Sequence, residues 1–191
     1  MPRRTETFAA NQVYHLYNRG VNRANIFSTG ENYRYLLRQV KDIQTDIPFT
    51  IFAYCLMPNH YHFVIRQDGD VSLSELIGRL FKRYTQAYNQ QQGRTGPLFA
   101  GRFRSIHVDV DEYLIHLARY VHLNPVVAGL CRHPQEWPYS NYLEWIEQRN
   151  GTLIDRVWVR GYFPTPESYI EFVKNELPTQ IEEQLKPYLL E

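Results

Sequence analysis

His60 and His62 flank Tyr61 in the run YCLMPNHYHFVI at residues 54–65. In an extended strand, residues two apart leave the same face, separated by roughly 7 Å at ~3.3 Å of rise per residue. Two imidazoles placed in this way can share a divalent cation without rearranging the backbone, while Tyr61 and Phe63 turn to the other face. A pair of satisfied core histidines fits the spacing equally well, so a metal reading needs further donors. His116, Tyr120 and Asn124 are spaced by four and fall on one face of a helix. An amide oxygen is a hard ligand, and two histidines with one amide leave open positions on Mg²⁺ or Mn²⁺. A phenol with a pKa near ~10 is a poor nucleophile until cationic groups stabilise its phenolate. Tyr120, one turn from Asn124, is the phenol so placed. Tyr84, Tyr88 and Tyr113 are rival tyrosines, and His107 or His116 are alternative ligands.

Elements able to hold these groups are legible around them. Residues 12–17 alternate like a strand and close at Asn18-Arg19-Gly20. Apolar residues at 33, 36, 37, 40 and 43 have helical spacing, which predicts a helix over 29–44. Residues 49–56 and 60–66 form strands joined at Met57-Pro58-Asn59, since proline cannot donate to a ladder. Ser72 with Glu75 reads as a capping box opening a helix to about residue 91. Residues 102–108 form a fourth strand, with Arg102 and Arg104 on one face and Phe103 on the other. A third helix starts at Asp109 or Asp111 and reaches Pro125 at or just past its end, and the pre-proline position biases Asn124 away from helical angles. The order β-α-β-β-α-β implies an α+β, ferredoxin-like core with an antiparallel sheet and a further helix, carrying Tyr120 and Asn124, after the fourth strand. Helical patterns at 166–177 and 179–189 suggest an acidic, helical C-terminal extension at 146–191, packed on a core formed by the chain before it.

The overall charge of +1 conceals an uneven distribution. Residues 1–133 carry a balance of +6 and residues 134–191 one of −5. Between Leu76 and Val108 lie Arg79, Lys82, Arg83, Arg94, Arg102 and Arg104 with no acidic residue. Such a one-signed band is a candidate polyphosphate-binding face or a solvated basic surface. The 15 tyrosines add groups able to pack or to stack on bases. No apolar leader and no window of 18 apolar residues is present, so neither secretion nor a membrane span is expected. Cys55 and Cys131 are too few for a disulfide framework and read as reduced core residues of a cytoplasmic protein.

MPNHYHFVI resembles the His-hydrophobic-His motif of single-tyrosine transposases. RYVHLNPVVAGL resembles the segment carrying their nucleophile and an amide ligand, and YHLYNRGVNR and GPLFAGRFRS are also similar. The four segments, in order over about residues 8–145, resemble the REP-associated branch most closely, which implies a catalytic domain at 8–145 followed by the acidic extension at 146–191. The resemblance implies that His60, His62 and Asn124 bind Mg²⁺ or Mn²⁺ and that Tyr120 is the nucleophile. Tyr61 stands where the family has an aliphatic residue. The implied reaction nicks single-stranded DNA and transfers the strand through a 5′-phosphotyrosine link, acting on palindromic hairpins with a short guide sequence. Arg79, Lys82, Arg83, Arg102 and Arg104 would then contact phosphates, and Arg19, Asn22 and Arg23 would read guide bases. The alternatives are a hairpin-binding protein that keeps the fold without turnover, and a water-using phosphodiesterase. Whether the unit is a monomer or a homodimer stays open.

Overall fold

The computed structural model describes residues 8–109, 111–175 and 183. The elements run β1 (Val13–Arg19), α1 (Gly30–Gln44), β2 (Phe49–Met57), β3 (His60–Gln67), α2 (Leu73–Gln91), β4 (Arg104–Val108) and α3 (Asp111–Val127), followed by α4 (Tyr142–Trp145), α5 (Arg156–Tyr162) and α6 (Pro166–Lys174). The four strands form one sheet of order β2-β3-β1-β4, antiparallel throughout. This is the expected ferredoxin-like α+β arrangement. The 179–189 helical pattern lies outside the described residues apart from Glu183, and α5 was not foreseen.

Side-chain alternation along the strands divides the interior into two clusters. One gathers Leu16, Tyr61, Phe63 and Ile65 under α1 and α2. The other gathers Cys55, Met57 and Val64 under α3, with Trp145, Phe163 and Tyr169 from the later chain. Because β3 is buried on both faces, its two alternating sets are separately specified, and a slip of one residue would exchange them.

Several local expectations are corrected. The Ser72 hydroxyl accepts from the Ser74 amide at 3.2 Å, but Glu75 turns outward to pair with Arg79 at 2.5 Å instead of closing a capping box. Arg102 and Phe103 precede β4, so only Arg104 belongs to the strand. Phe103 packs against Phe8 beside the first cluster. Cys55 is buried, whereas Cys131 is only half-buried beyond α3.

Pro125 does not stop α3 but lies inside it. The helix ends instead at Gly129, whose φ of +69° suits the left-handed stop position. There the Gly129 amide bonds to the Val126 carbonyl at 2.9 Å and the Leu130 amide to the Pro125 carbonyl at 2.8 Å. Asn124 therefore remains helical, against the pre-proline bias, and stays one turn from Tyr120.

The free edge of β2 is covered by the chain that follows α3. The Leu56 amide donates to the Tyr139 carbonyl at 2.9 Å. Asn141 bridges the Tyr54 amide (2.7 Å) and the Phe52 carbonyl (2.9 Å). Trp137 and Trp145 donate their indole N–H groups to Leu56 and Phe52 carbonyls at 3.1 and 3.0 Å. α6 then packs on α3, with Phe172 against His116 and the Tyr169 hydroxyl on His122.

Candidate active site

The antiparallel register sets out the site row by row, because directly paired residues share a face. His60 pairs with Arg19 on β1 and Met57 on β2. His62 pairs with Tyr17 and Cys55, and Tyr17 pairs in turn with Arg104. Val64 pairs with His15. Three histidines (His15, His60 and His62), two arginines and a tyrosine thus share the sheet face covered in part by α3, while Tyr61 points away and stacks on Phe81 at 4.3 Å. Tyr61 is fully buried there, which explains how an aromatic ring is accepted at that position.

α3 brings the second half of the site. The Tyr120 ring meets His62 edge-on with centroids 5.7 Å apart. Asn124 lies beside both His60 and His62, where it counters part of the effect of burial on each ring. The Asn124 amide nitrogen donates to the Tyr120 carbonyl at 2.9 Å, leaving the side-chain oxygen as its donor toward a cation. Tyr120 and Asn124 are both half-buried, so the site is reached from solvent.

The rings are neutral and incompletely satisfied. Burial lowers His60 from 6.5 to about 4 and holds His62 well below its ordinary value, with the neighbouring histidines adding to the shift on His62. His60 Nδ1 lies 2.7 Å from Asn59 Oδ1, and His62 Nδ1 lies 2.9 Å from His15 Nε2. The two Nε2 atoms are buried, and although Asn124 is near enough to act on both rings, neither makes a hydrogen bond of ordinary length and angle. Buried polar atoms are rarely left in this state. Two neutral imidazole nitrogens and an amide oxygen are a donor set that fits a divalent cation with open positions, which would give both atoms a partner. Among the described residues, no group of three or more His, Cys, Asp or Glu forms an alternative metal cluster.

The other residues singled out in the sequence divide between the rim of this centre and the opposite side of the sheet. Asn22 and Arg23 are exposed in a 3-10 turn at Val21–Arg23, with φ of +53° and +59°. Their loop leans on the β2–β3 turn, where the Ile26 and Phe27 amides donate to the Pro58 carbonyl at 2.7 and 3.0 Å. Gly20 is required at its root, since a Cβ would collide with the Ala24 carbonyl. Arg102 is exposed just before β4. Arg79, Lys82 and Arg83 sit on the solvent side of α2, across the sheet from the histidines.

The rival groups lie elsewhere. Tyr84 donates to the Ile26 carbonyl, and the Tyr88 hydroxyl lies 2.6 Å from Ser28 Oγ. Tyr113 is buried in the second cluster. His107 bonds to Gln12 at 2.7 Å and, paired with Tyr14, faces the α1–α2 side. His116 is turned to Phe172. His15 was missed in the sequence. The signal available was its place two residues before Tyr17 on a strand that this fold sets beside β3.

Residues 9–124 match the family described as Transposase IS200 like, and the chain belongs to that family. The matched span closes on Asn124 and includes His60, His62 and Tyr120. Among similar proteins, the REP-associated tyrosine transposase of Escherichia coli K12 is 24% identical over 111 residues, covering 58% of this chain and 64% of the relative. A putative REP-associated tyrosine transposase of Haemophilus influenzae is 26% identical over 105 residues, covering 50% of this chain and 60% of that protein. The chain thus spans less than two thirds of the length of these curated relatives. A solved REP-associated tyrosine transposase bound to a REP hairpin superposes with a TM-score of 0.63 at 18% identity, over 81% of this chain and 94% of that one. That likeness establishes the shared fold. Among the described residues, no helix is long and apolar enough to cross a membrane.

Proposed function

We propose that this protein cuts and rejoins single-stranded DNA at REP-like palindromic hairpins through a covalent tyrosine intermediate. The observation that carries the reading is the pair of buried, unpartnered Nε2 atoms of His60 and His62 beside Tyr120 and Asn124. His60, His62 and Asn124 would hold Mg²⁺ or Mn²⁺. When bound, that cation supplies charge that polarises the scissile phosphodiester and offsets the developing negative charge.

Tyr120 Oη attacks phosphorus and forms an O–P bond, and the bond to the 3′ oxygen breaks. The phenolic proton is lost to solvent, and the departing oxygen is protonated to a 3′-OH. The 5′-phosphotyrosine link retains the energy of the phosphodiester, so an incoming 3′-OH can reverse the step and join strands without ATP. Arg19 and Arg104 share the sheet face of the histidines and are placed to hold flanking phosphates, which positions a strand without reading its sequence. Arg102 extends that line, and Asn22 and Arg23 stand at the rim where unpaired guide bases would lie. Arg79, Lys82 and Arg83 would meet only DNA that wraps around α2. The catalytic unit spans residues 8–145, and the acidic extension after it supports α3.

The test is incubation of the protein with a single-stranded hairpin oligonucleotide and Mn²⁺, followed by denaturing electrophoresis. A covalent protein–DNA adduct is expected, and Tyr120→Phe abolishes it. An adduct that persists in Tyr120→Phe removes the nucleophile assignment. Cleavage without an adduct identifies a hydrolase, and binding without cleavage a hairpin-binding protein.

A further inference from the structure

An imidazole binds a metal through a nitrogen lone pair, so the proton must sit on its other nitrogen, and whatever accepts that proton fixes the tautomer. Each candidate ligand has a polar atom at hydrogen-bond distance from Nδ1: an amide oxygen for His60, and for His62 a ring nitrogen of His15 that accepts when His15 carries its own proton on Nδ1. Asn59 Oδ1 lies 2.7 Å from His60 Nδ1. An amide oxygen only accepts, so His60 Nδ1 carries the proton and Nε2 the lone pair. The orientation of the Asn59 amide is set by its other edge, where Nδ2 donates to the Arg23 carbonyl at 3.4 Å. The Asn59 backbone carbonyl also accepts from the Gly20 amide at 2.8 Å, which ties this turn to the loop after β1.

His62 has a stiffer support. Its Nδ1 lies 2.9 Å from His15 Nε2, and both residues are wholly buried. The two rings are nearly coplanar in tilt, at 14° with centroids 5.1 Å apart. Tyr17 flanks His15 on its own strand at 4.9 Å. Neighbouring strands hold these rings in place, so neither can swing aside to choose another partner.

We propose that His15 and Asn59 are positioning residues, each accepting the Nδ1 proton of one ligand and holding His62 and His60 in the tautomer that directs both Nε2 lone pairs into the site. The proposal rests on the metal reading above. Neither residue touches the reacting atoms, and they differ in setting. His15 is locked within the sheet, whereas Asn59 is shared with the loop that carries Asn22 and Arg23.

The experiment uses full-length protein with ¹⁵N-labelled histidine. Imidazole ¹⁵N–¹H correlation spectra without metal assign the tautomers at neutral pH, and Mn²⁺ titration followed by electron paramagnetic resonance gives affinity. Nδ1–H signatures are expected for both His60 and His62. His15→Leu releases His62 into mixed tautomers and weakens Mn²⁺ binding about 10–100-fold, the range for loss of a group that orients a ligand. His15→Gln, which keeps an accepting oxygen, restores most of the affinity. Asn59→Ala and Asn59→Asp give the same pair of results for His60, and their half-buried turn keeps the test available if His15→Leu does not fold. An Nε2–H signature on either ligand in the wild type, or full Mn²⁺ affinity in both His15→Leu and Asn59→Ala, overturns the proposal. Wild-type protein with both Nδ1–H signatures but no Mn²⁺ binding overturns the metal reading instead, and leaves the tautomer assignment standing.

Discussion

His62 and His122 are both fully buried, and both are pushed by burial toward the neutral form. They differ in what their second nitrogen meets. His122 is satisfied on both sides, with Nδ1 2.6 Å from the Tyr169 hydroxyl and Nε2 2.9 Å from Asn141 Oδ1. It joins α3, α6 and the segment covering the β2 edge. His62 is satisfied only at Nδ1, and its Nε2 faces Tyr120 and Asn124 without a partner. A buried histidine with two partners is part of the framework, while one with a buried, unpartnered nitrogen is held ready for something else. Burial and pKa alone do not separate the two roles, but the hydrogen-bond inventory does.

The largest effect that tests this contrast is on catalysis. On the proposed function, losing a metal ligand would remove several kcal/mol of transition-state stabilisation, so His62→Ala is expected to lower strand cleavage by roughly 10³-fold. Its circular dichroism stays that of a folded protein. Cleavage near the wild-type rate would place His62 with His122 in the framework.

The next effect is on acid stability. Burial lowers His122 from 6.5 to about 4, so between those values the unfolded chain binds more protons than the native one. Its contribution is complete above about pH 6.5 and is lost as the pH falls toward about 4, a change of roughly 3 kcal/mol at 1.36 kcal/mol per unit. Urea unfolding at pH 7.5 and at pH 5 measures this, and His122→Gln is expected to show a shallower dependence.

Tyr169→Phe is a smaller change. It removes the hydroxyl facing His122 Nδ1 and is expected to cost about 1–2 kcal/mol in urea unfolding, with cleavage per folded molecule unchanged. A large loss of cleavage at full stability would tie the extension directly to the chemistry. The smallest effect concerns the two groups of basic residues. Arg104→Ala is expected to weaken hairpin binding about tenfold and Arg83→Ala to change it little, since phosphate contacts matter only along the path of the strand. Equal effects in filter binding at low salt would carry the DNA around α2 as well.

Much of this was legible in the sequence because it is local or periodic. The alternation in HYHFVI separates His60 and His62 from Tyr61, and the spacing of four joins Tyr120 to Asn124; both patterns survive in the structure. The strand order follows from the element order together with the family resemblance. What escaped depends on contacts between distant segments. The His15–His62 pairing spans 47 residues and exists only because β1 lies beside β3. The division of the basic band is also tertiary: a run of arginines and lysines in the sequence does not say which side of the sheet its helix covers. Pro125 misled as a stop signal because a Gly129 turn four residues beyond it completes the hydrogen bonding of the last turn.

The covering of β2 also bears on how copies of this chain could associate. Exposed strand edges are templates for pairing with another chain. Here the Tyr139–Asn141 segment lies along one edge, and among the described residues the other edge is β4, a strand of five residues. Arg104 stands exposed on that strand, a charged residue at an edge being an ordinary protection against strand-to-strand growth. Strand addition between copies would therefore have to run along β4 and bring Arg104 of each copy to the seam.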